Sequence, residues 1–98
     1  MKKYAAEFIG TFSLVFFGTG VIALGDVSGM AALIVPMVFG TVVTVMILAF
    51  GDESGAHFNP AVSAGFFFSG RLSLSRFGLY AMSQTLGALA ASACVKLF

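Results

Sequence analysis

Charged side chains are scarce in this sequence. Only 9% of its 98 residues are Asp, Glu, Lys or Arg, whereas 59% are hydrophobic. About a quarter of the residues of a soluble domain are charged, so this chain has too little polar surface for one. The net charge of +1 gives no indication of a nucleic-acid partner. The composition therefore predicts an integral membrane protein, with the lipid bilayer as its first partner.

Groups that support catalysis or metal binding are equally scarce. The single cysteine, Cys94, excludes an internal disulfide framework, and its apolar surroundings favour a small buried filler. The single histidine, His57, has no cysteine, histidine or carboxylate cluster at metal-ligand spacing, so we expect no metal site. The sequence has no nucleophile beside a base, no phosphate-binding glycine loop and no basic patch. We therefore expect neither an enzyme nor a protein with a cofactor.

Three apolar segments are long enough to cross a membrane. They run over about residues 4–24, 30–50 and 75–98, and a polar turn at 25–29 separates the first two. Two lysines before the first segment imitate a signal peptide, but the segment is too long and further spans follow. No linker or second soluble domain is evident, so residues 1–98 read as one unit of an all-α membrane protein.

A shorter segment, residues 52–70, separates the last two spans. Asn59 is a favoured N-cap and Pro60 a favoured first helical residue, so a helix begins there and ends near Gly70. Roughly a dozen residues rise ~18 Å, about half of a ~30 Å hydrocarbon core. Irregular backbone is tolerated at membrane depth only where protein buries it or where it lines an aqueous cavity. The sequence thus predicts three transmembrane helices plus one re-entrant half-helix, at a pore or binding cavity.

Positive charge predicts the orientation. If the half-helix returns to the face that it left, four of the five basic residues share one side, namely Lys2, Lys3, Arg71 and Arg76, and only Lys96 lies opposite. The positive-inside rule then places the N-terminus in the cytoplasm, and we expect the plasma membrane. The sequence stops without a polar tail after the third span, which favours one piece of something longer.

The half-helix tip is the first candidate site. Near mid-membrane, the Asn59 amide can donate to the oxygen of a passing water or alcohol, while the positive end of the helix repels cations. The carbonyls of Gly55, Ala56 and His57 would accept hydrogen bonds along the approach. This arrangement gives a path for neutral polar solutes that opposes protons and other cations. The alternative is plain capping, because Asn-Pro starts many ordinary helices, but the half-length apolar helix favours the pore.

Two further polar residues interrupt the apolar spans. A carboxylate such as Glu7 is costly there unless it is paired. It could accept hydrogen bonds from orphaned N–H groups of the re-entrant loop, serve as the carboxylate of a proton-coupled transporter, or simply reach interfacial water. Gln84 is expected to bond another helix or the loop. His57 is expected to line the loop or to satisfy a backbone group.

Small residues recur at four-residue spacing in two places. Such stripes let helix backbones approach closely, and these two could pack on each other or on the first span. They are Ser83, Gly87 and Ala91 in the third span, and Ala61, Gly65 and Ser69 in the half-helix.

These residues resemble one half of an aquaporin, or major intrinsic protein. The matching pieces cover essentially the whole chain; they are Ala6-Glu7-Phe8-Ile9-Gly10-Thr11-Phe12, Ser54-Gly55-Ala56-His57-Phe58-Asn59-Pro60-Ala61-Val62, Gly70-Arg71 and Gln84. The resemblance implies half of an aquaporin-like right-handed bundle. In that family two such units in inverted orientation bring two Asn-Pro-Ala half-helices together at mid-membrane, and four complete channels form a tetramer.

The resemblance also implies residue roles. Asn59, Pro60 and Ala61 look like the first family signature, and Glu7 resembles the carboxylate that holds the re-entrant loop. Phe39 stands twenty residues before Asn59 and resembles the aromatic of the selectivity constriction, in its water-selective rather than glycerol-selective form.

The second unit of the family is missing from this sequence. We therefore expect a half-unit of a passive channel for water and other small neutral solutes, which needs a second half or a homo-oligomer. The charge bias argues against an inverted homodimer. The alternatives are an inactive or regulatory fragment that associates with complete channels, and a small proton-coupled exporter.

Overall fold

The computed structural model describes residues 1–24 and 31–97. Over these residues it contains no strand and four helices: α1 is Lys2–Ala23, α2 is Ala31–Ser54, α3 is Pro60–Phe68 and α4 is Leu74–Lys96. The prediction of an all-α chain is confirmed for the described part. The expected turn at 25–29 lies outside it, as do Met30 and Phe98.

Helix α2 continues past residue 50, where the sequence had placed the end of the second span. Asp52 and Glu53 are still helical, and both are exposed. The helix ends only at Gly55, whose φ of 83° is left-handed and whose N–H donates to the Gly51 carbonyl at 2.8 Å. The charged residues mark where the apolar stretch stops, whereas the glycine ends the helix.

Helices α1 and α4 run parallel to each other. The Tyr4 and Tyr80 rings lie 5.6 Å apart, and Glu7 bonds Gln84 one turn further along both helices. Further still, Gly87 of α4 lies so near α1 that a Cβ there would come within 2.6 Å of the Phe8 carbonyl oxygen. Both helices therefore begin at the same end of the molecule.

Helix α2 runs in the opposite direction. Its early residue Phe39 covers Gly18 in the second half of α1, while its last residue, Ser54, accepts a hydrogen bond from the Tyr80 hydroxyl at 2.6 Å. The segment between α2 and α4 thus leaves and returns at one end of the molecule. Helix α3 lies within that segment.

Many large apolar side chains lie exposed on the described chain. Two of its helices are long and apolar enough to cross a membrane, Lys2–Ala23 and Ala32–Ser54, with mean hydropathies of 1.6 and 2.5. The most apolar stretch of α2 contains no buried residue, and Leu48 on it is 82% exposed. A helix of this kind needs lipid or further protein around it.

Polar side chains occupy much of the small interior. Glu7, Ser63 and Gln84 are each 0% exposed, beside the small residues Ala6 and Ala91. A buried polar group is costly unless it is hydrogen-bonded, so these residues must find partners inside the molecule. They converge where α4 lies against both α1 and α3.

Candidate functional site

Asn59 caps the short helix α3. Its backbone is extended, with φ −161° and ψ 127°, and its Oδ1 accepts from the Ala61 N–H at 2.7 Å. Pro60 takes the first helical position. Because Oδ1 serves the cap, the Nδ2 group is left as a donor, and it has no hydrogen bond to any described residue. Asn59, Pro60 and Ala61 are all exposed.

Helix α3 is short. Its nine residues, Pro60–Phe68, rise about 14 Å, less than half of a ~30 Å hydrocarbon core. Gly70, with φ 79°, then reverses the chain toward α4, and the Arg71 N–H closes back on the Phe66 carbonyl at 2.8 Å. The sequence predicts a helix that ends near Gly70, whereas α3 ends at Phe68, two residues before this left-handed glycine.

The loop before α3 holds an uncommon backbone. Ala56 and Phe58 have left-handed φ values of 55° and 52°, in addition to the glycine at 55. Each such non-glycine residue costs about 1–2 kcal/mol, so the surroundings must hold the loop in place. At its upstream end, the Ser54 hydroxyl accepts from the Ala56 N–H at 3.1 Å.

Glu7 reaches the loop from α1. Its Oε1 accepts from the Phe58 N–H at 2.8 Å, and its Oε2 accepts from the His57 N–H at 3.2 Å. The carboxylate is 0% exposed. Of the three roles that the sequence left open for Glu7, this geometry corresponds to the tether of the loop.

Gln84 on α4 joins the same cluster. Its Nε2 donates to Glu7 Oε1 at 2.7 Å and to the Ser63 hydroxyl at 3.0 Å. Sequence reasoning had singled out Gln84 but missed Ser63. A serine four residues after the N-cap lies one helical turn inside α3, and that position is the signal that could have identified it.

His57 belongs to the loop, and its ring packs against α3. Its Nδ1 is 2.8 Å from the Ser63 hydroxyl, its ring stacks on Phe66 with centroids 4.4 Å apart, and Tyr80 meets the ring edge-on at 4.9 Å. Tyr80 was also missed from sequence, although it bonds the end of α2. In an apolar span, a tyrosine reads equally well as an interfacial anchor.

Phe58 and Phe39 each fill a space beside a glycine of α1. The Phe58 ring occupies the place where Gly10 would carry a side chain, and the Phe39 ring does the same at Gly18. Phe58 is 4% exposed, whereas Phe39 is half-buried. The structure thus brings Glu7, Gln84, His57 and the loop together, and it places the Phe39 ring of α2 apart from them, over Gly18 of α1.

A tethered loop, a short capped helix and long apolar helices together define a helical membrane protein. The chain belongs to the major intrinsic protein family, whose model matches residues 1–98.

Individual relatives agree with this membership. The chain is 47% identical to the glycerol uptake facilitator protein-like 6 of Lactiplantibacillus plantarum, over all of this chain and 44% of the relative. It is 45% identical to aquaporin Z of Brucella melitensis, over 95% of this chain and 42% of the relative. It is 38% identical to aquaporin NIP3-1 of Arabidopsis thaliana, over 99% of this chain and 31% of the relative. The chain therefore spans less than half the length of each of these relatives.

Proposed function

We propose that the chain forms one half of a passive transmembrane channel for water and other small neutral solutes, without catalytic activity. In this proposal α1, α2 and α4 cross the plasma membrane, and the loop with α3 forms the re-entrant segment. A second half completes the pore.

The helix directions support the re-entrant segment. Because α1 and α4 begin at the same end, the loop and α3 enter and leave from that end. Lys2, Lys3, Arg71 and Arg76 belong to this end by their positions in the helices and turns, so the positive-inside rule makes it cytoplasmic. Helices of 22 and 24 residues, α1 and α2, rise about 33–36 Å, which is enough for a ~30 Å core. Helix α4 has 23 residues and matches them in length; it is less apolar than α1 and α2, and its crossing is inferred from its parallel packing on α1.

The cap at Asn59 carries the proposal. The side-chain oxygen is committed to the Ala61 N–H, so the amide can only donate on its exposed side. The positive end of α3 lies at the same point. The amide donates to the oxygen of a neutral solute, and the positive helix end beside it repels cations.

The exposure of this tip supports the need for a second half. Asn59 and Pro60 are open to the outside of the chain, and a pore requires a wall on that side. The chain also corresponds to 44% or less of each of the three relatives described. A further chain that carries the remaining part of such a channel is the partner that fits.

Phe39 supports water as the main solute. A phenylalanine at this point of α2 is bulky, and its ring is held in place over Gly18. One relative is named for glycerol uptake and the others are named aquaporins, so names alone do not select the solute.

The environment of Glu7 speaks against the proton-coupled exporter. Both carboxylate oxygens accept hydrogen bonds, and the side chain is fully buried. All three hydrogen bonds to the carboxylate come from groups of this chain, so its oxygens are occupied in holding the loop and α4, whereas a coupling residue must exchange its proton with a solute path.

Osmotic shrinkage of vesicles tests the proposal. The chain is reconstituted alone and together with the part of the Lactiplantibacillus plantarum relative that it does not match. We expect permeability at the level of bare lipid for the chain alone, and fast, proton-independent shrinkage for the pair. No added permeability in the pair would contradict the channel half, and fast shrinkage with the chain alone would contradict the need for a second half.

The substitution Asn59→Asp examines the tip within the conducting pair. It keeps the capping oxygen but replaces the amide donor with a negative charge, so we expect slower water flow and a measurable cation leak. Asp52→Asn, at an exposed position of α2, is the control and should leave both rates unchanged. If the pair conducts and Asn59→Asp has no effect, Asn59 does not line the path.

A further inference from the structure

We infer that Ser63 and Gln84 act as positioning residues that hold His57 as a single neutral tautomer, with the proton on Nε2. The free edge of this ring is then a hydrogen-bond donor at the exposed start of the loop. The tautomer itself does not depend on conduction, whereas the role of the donor toward a solute rests on the proposed function.

The argument begins at Glu7. A carboxylate that takes backbone N–H groups on both oxygens is an acceptor, so the Gln84 atom 2.7 Å from Oε1 must be the amide nitrogen. A reversed amide would place its oxygen against the carboxylate. Glu7 thus fixes which way the Gln84 amide points.

The Gln84 amide then fixes the role of Ser63. The amide nitrogen has two hydrogens: one goes to Glu7, and the other goes to the Ser63 hydroxyl at 3.0 Å. Ser63 therefore accepts from Gln84 and has one hydrogen of its own to donate. Its side chain is 0% exposed, so this hydrogen needs a partner within the protein.

His57 provides that partner. Its Nδ1 lies 2.8 Å from the Ser63 hydroxyl and accepts this hydrogen. A proton on Nδ1 would instead compete with Ser63 for the same position and leave the serine hydrogen without its acceptor. In the neutral ring the proton consequently stays on Nε2.

The Nε2 atom lies on the opposite edge of the ring. A Cβ added at Gly55 would lie 3.4 Å from it, so this edge borders the exposed glycine at the start of the loop. Phe66 stacks on one face of the ring and Tyr80 meets it edge-on, so the imidazole has little freedom to turn over. Nε2 has no hydrogen bond to a described residue. Its N–H is therefore placed to donate to the oxygen of a water or an alcohol.

Nitrogen NMR tests the tautomer directly, because His57 is the only histidine of the chain. The full chain, with labelled histidine, is reconstituted in lipid at alkaline pH, where the ring is neutral. We expect a directly bonded hydrogen on Nε2 and none on Nδ1. A proton on Nδ1, or comparable populations of the two forms, would overturn the inference.

Two variants assign the cause. Ser63→Ala removes the donor to Nδ1 and should produce a mixture of tautomers, whereas Ser69→Ala should retain the single form because the Ser69 hydroxyl bonds the Phe66 carbonyl instead. An unchanged tautomer in Ser63→Ala would show that Ser63 does not position the ring. If Ser63→Ala fails to fold, the spectrum of the parent chain still decides the tautomer. None of these readouts depends on permeability, so the channel proposal and the tautomer can fail separately.

Discussion

Helices α4 and α3 carry the same pattern of small residues with opposite outcomes. On α4, Gly87 and Ala91 are buried, and α1 comes so close that a Cβ at Gly87 would meet the Phe8 carbonyl oxygen. On α3, Ala61 and Ser69 are exposed, and a Cβ at Gly65 would meet nothing within 4 Å. The stripe on α4 is a packing surface of this chain, whereas the stripe on α3 is open.

The difference shows how α3 is held. Its inner side attaches through hydrogen bonds of Ser63 and through the stacked rings of Phe67 and Phe77, 5.3 Å apart. The loop before it is held by Glu7. Helix α3 is therefore fixed by a polar cluster on one side, and its small-residue face remains available for the proposed second half.

The substitution Glu7→Gln should have the largest effect on stability. The glutamine presents one oxygen and one donor group to three donors. We therefore expect the free energy of unfolding to fall by about 3 kcal/mol. Titration of the chain with denaturing detergent in mixed micelles measures this change. Glu53→Gln, at an exposed position of α2, is the matched control and should have little effect. Equal stability of Glu7→Gln and the parent would mean that the loop is held by other contacts.

Gly87→Ala should have the next largest effect on stability, and it tests the packing of the small-residue stripe of α4 on α1. The added carbon would lie 2.6 Å from the Phe8 carbonyl oxygen, a backbone atom that moves only together with α1. Overpacking of this kind costs about 1–3 kcal/mol, and the same detergent titration measures it. A neutral result would indicate that α1 and α4 can separate freely, and the stripe on α4 would then resemble the one on α3.

Tyr80→Phe should have a smaller effect. It removes only the hydroxyl that donates to the Ser54 carbonyl at 2.6 Å and keeps the ring against Tyr4 and His57. We expect the free energy of unfolding to fall by about 1 kcal/mol, the usual net contribution of one hydrogen bond. Tyr4→Phe is the control, because its ring contact is kept and no hydrogen bond of its hydroxyl is among those of the described residues. If the two variants lose the same stability, the bond to Ser54 does not hold the end of α2.

The sequence predicted the elements of this structure better than their contacts. Apolar length indicated the long helices, and Asn59-Pro60 indicated the start of α3, because both signals are local. The predicted helix ends were less accurate. Charged residues such as Asp52 and Glu53 mark where the apolar stretch stops, whereas the left-handed glycines Gly55 and Gly70 set the backbone reversals.

The same difference between local signals and contacts applies to the candidate site. Glu7 and Gln84 stand out as polar residues in apolar spans, but their meeting depends on α1 and α4 being neighbours in the right register, which no local pattern encodes. Ser63 was missed because a serine in a helix has many ordinary roles. The two stripes could not be told apart for the same reason, since burial depends on the neighbouring helix.

Gly65→Ala should have the smallest effect in the isolated chain, and of opposite sign. The open face leaves room for the methyl group, and alanine favours a helix over glycine by up to about 1 kcal/mol, so the chain alone should be slightly more stable. In the conducting pair, the same methyl group should slow osmotic shrinkage if the second half packs on this face. A variant that is stabilised alone and unaffected in the pair would show that the stripe on α3 faces lipid, and the second half would then have to contact α3 elsewhere.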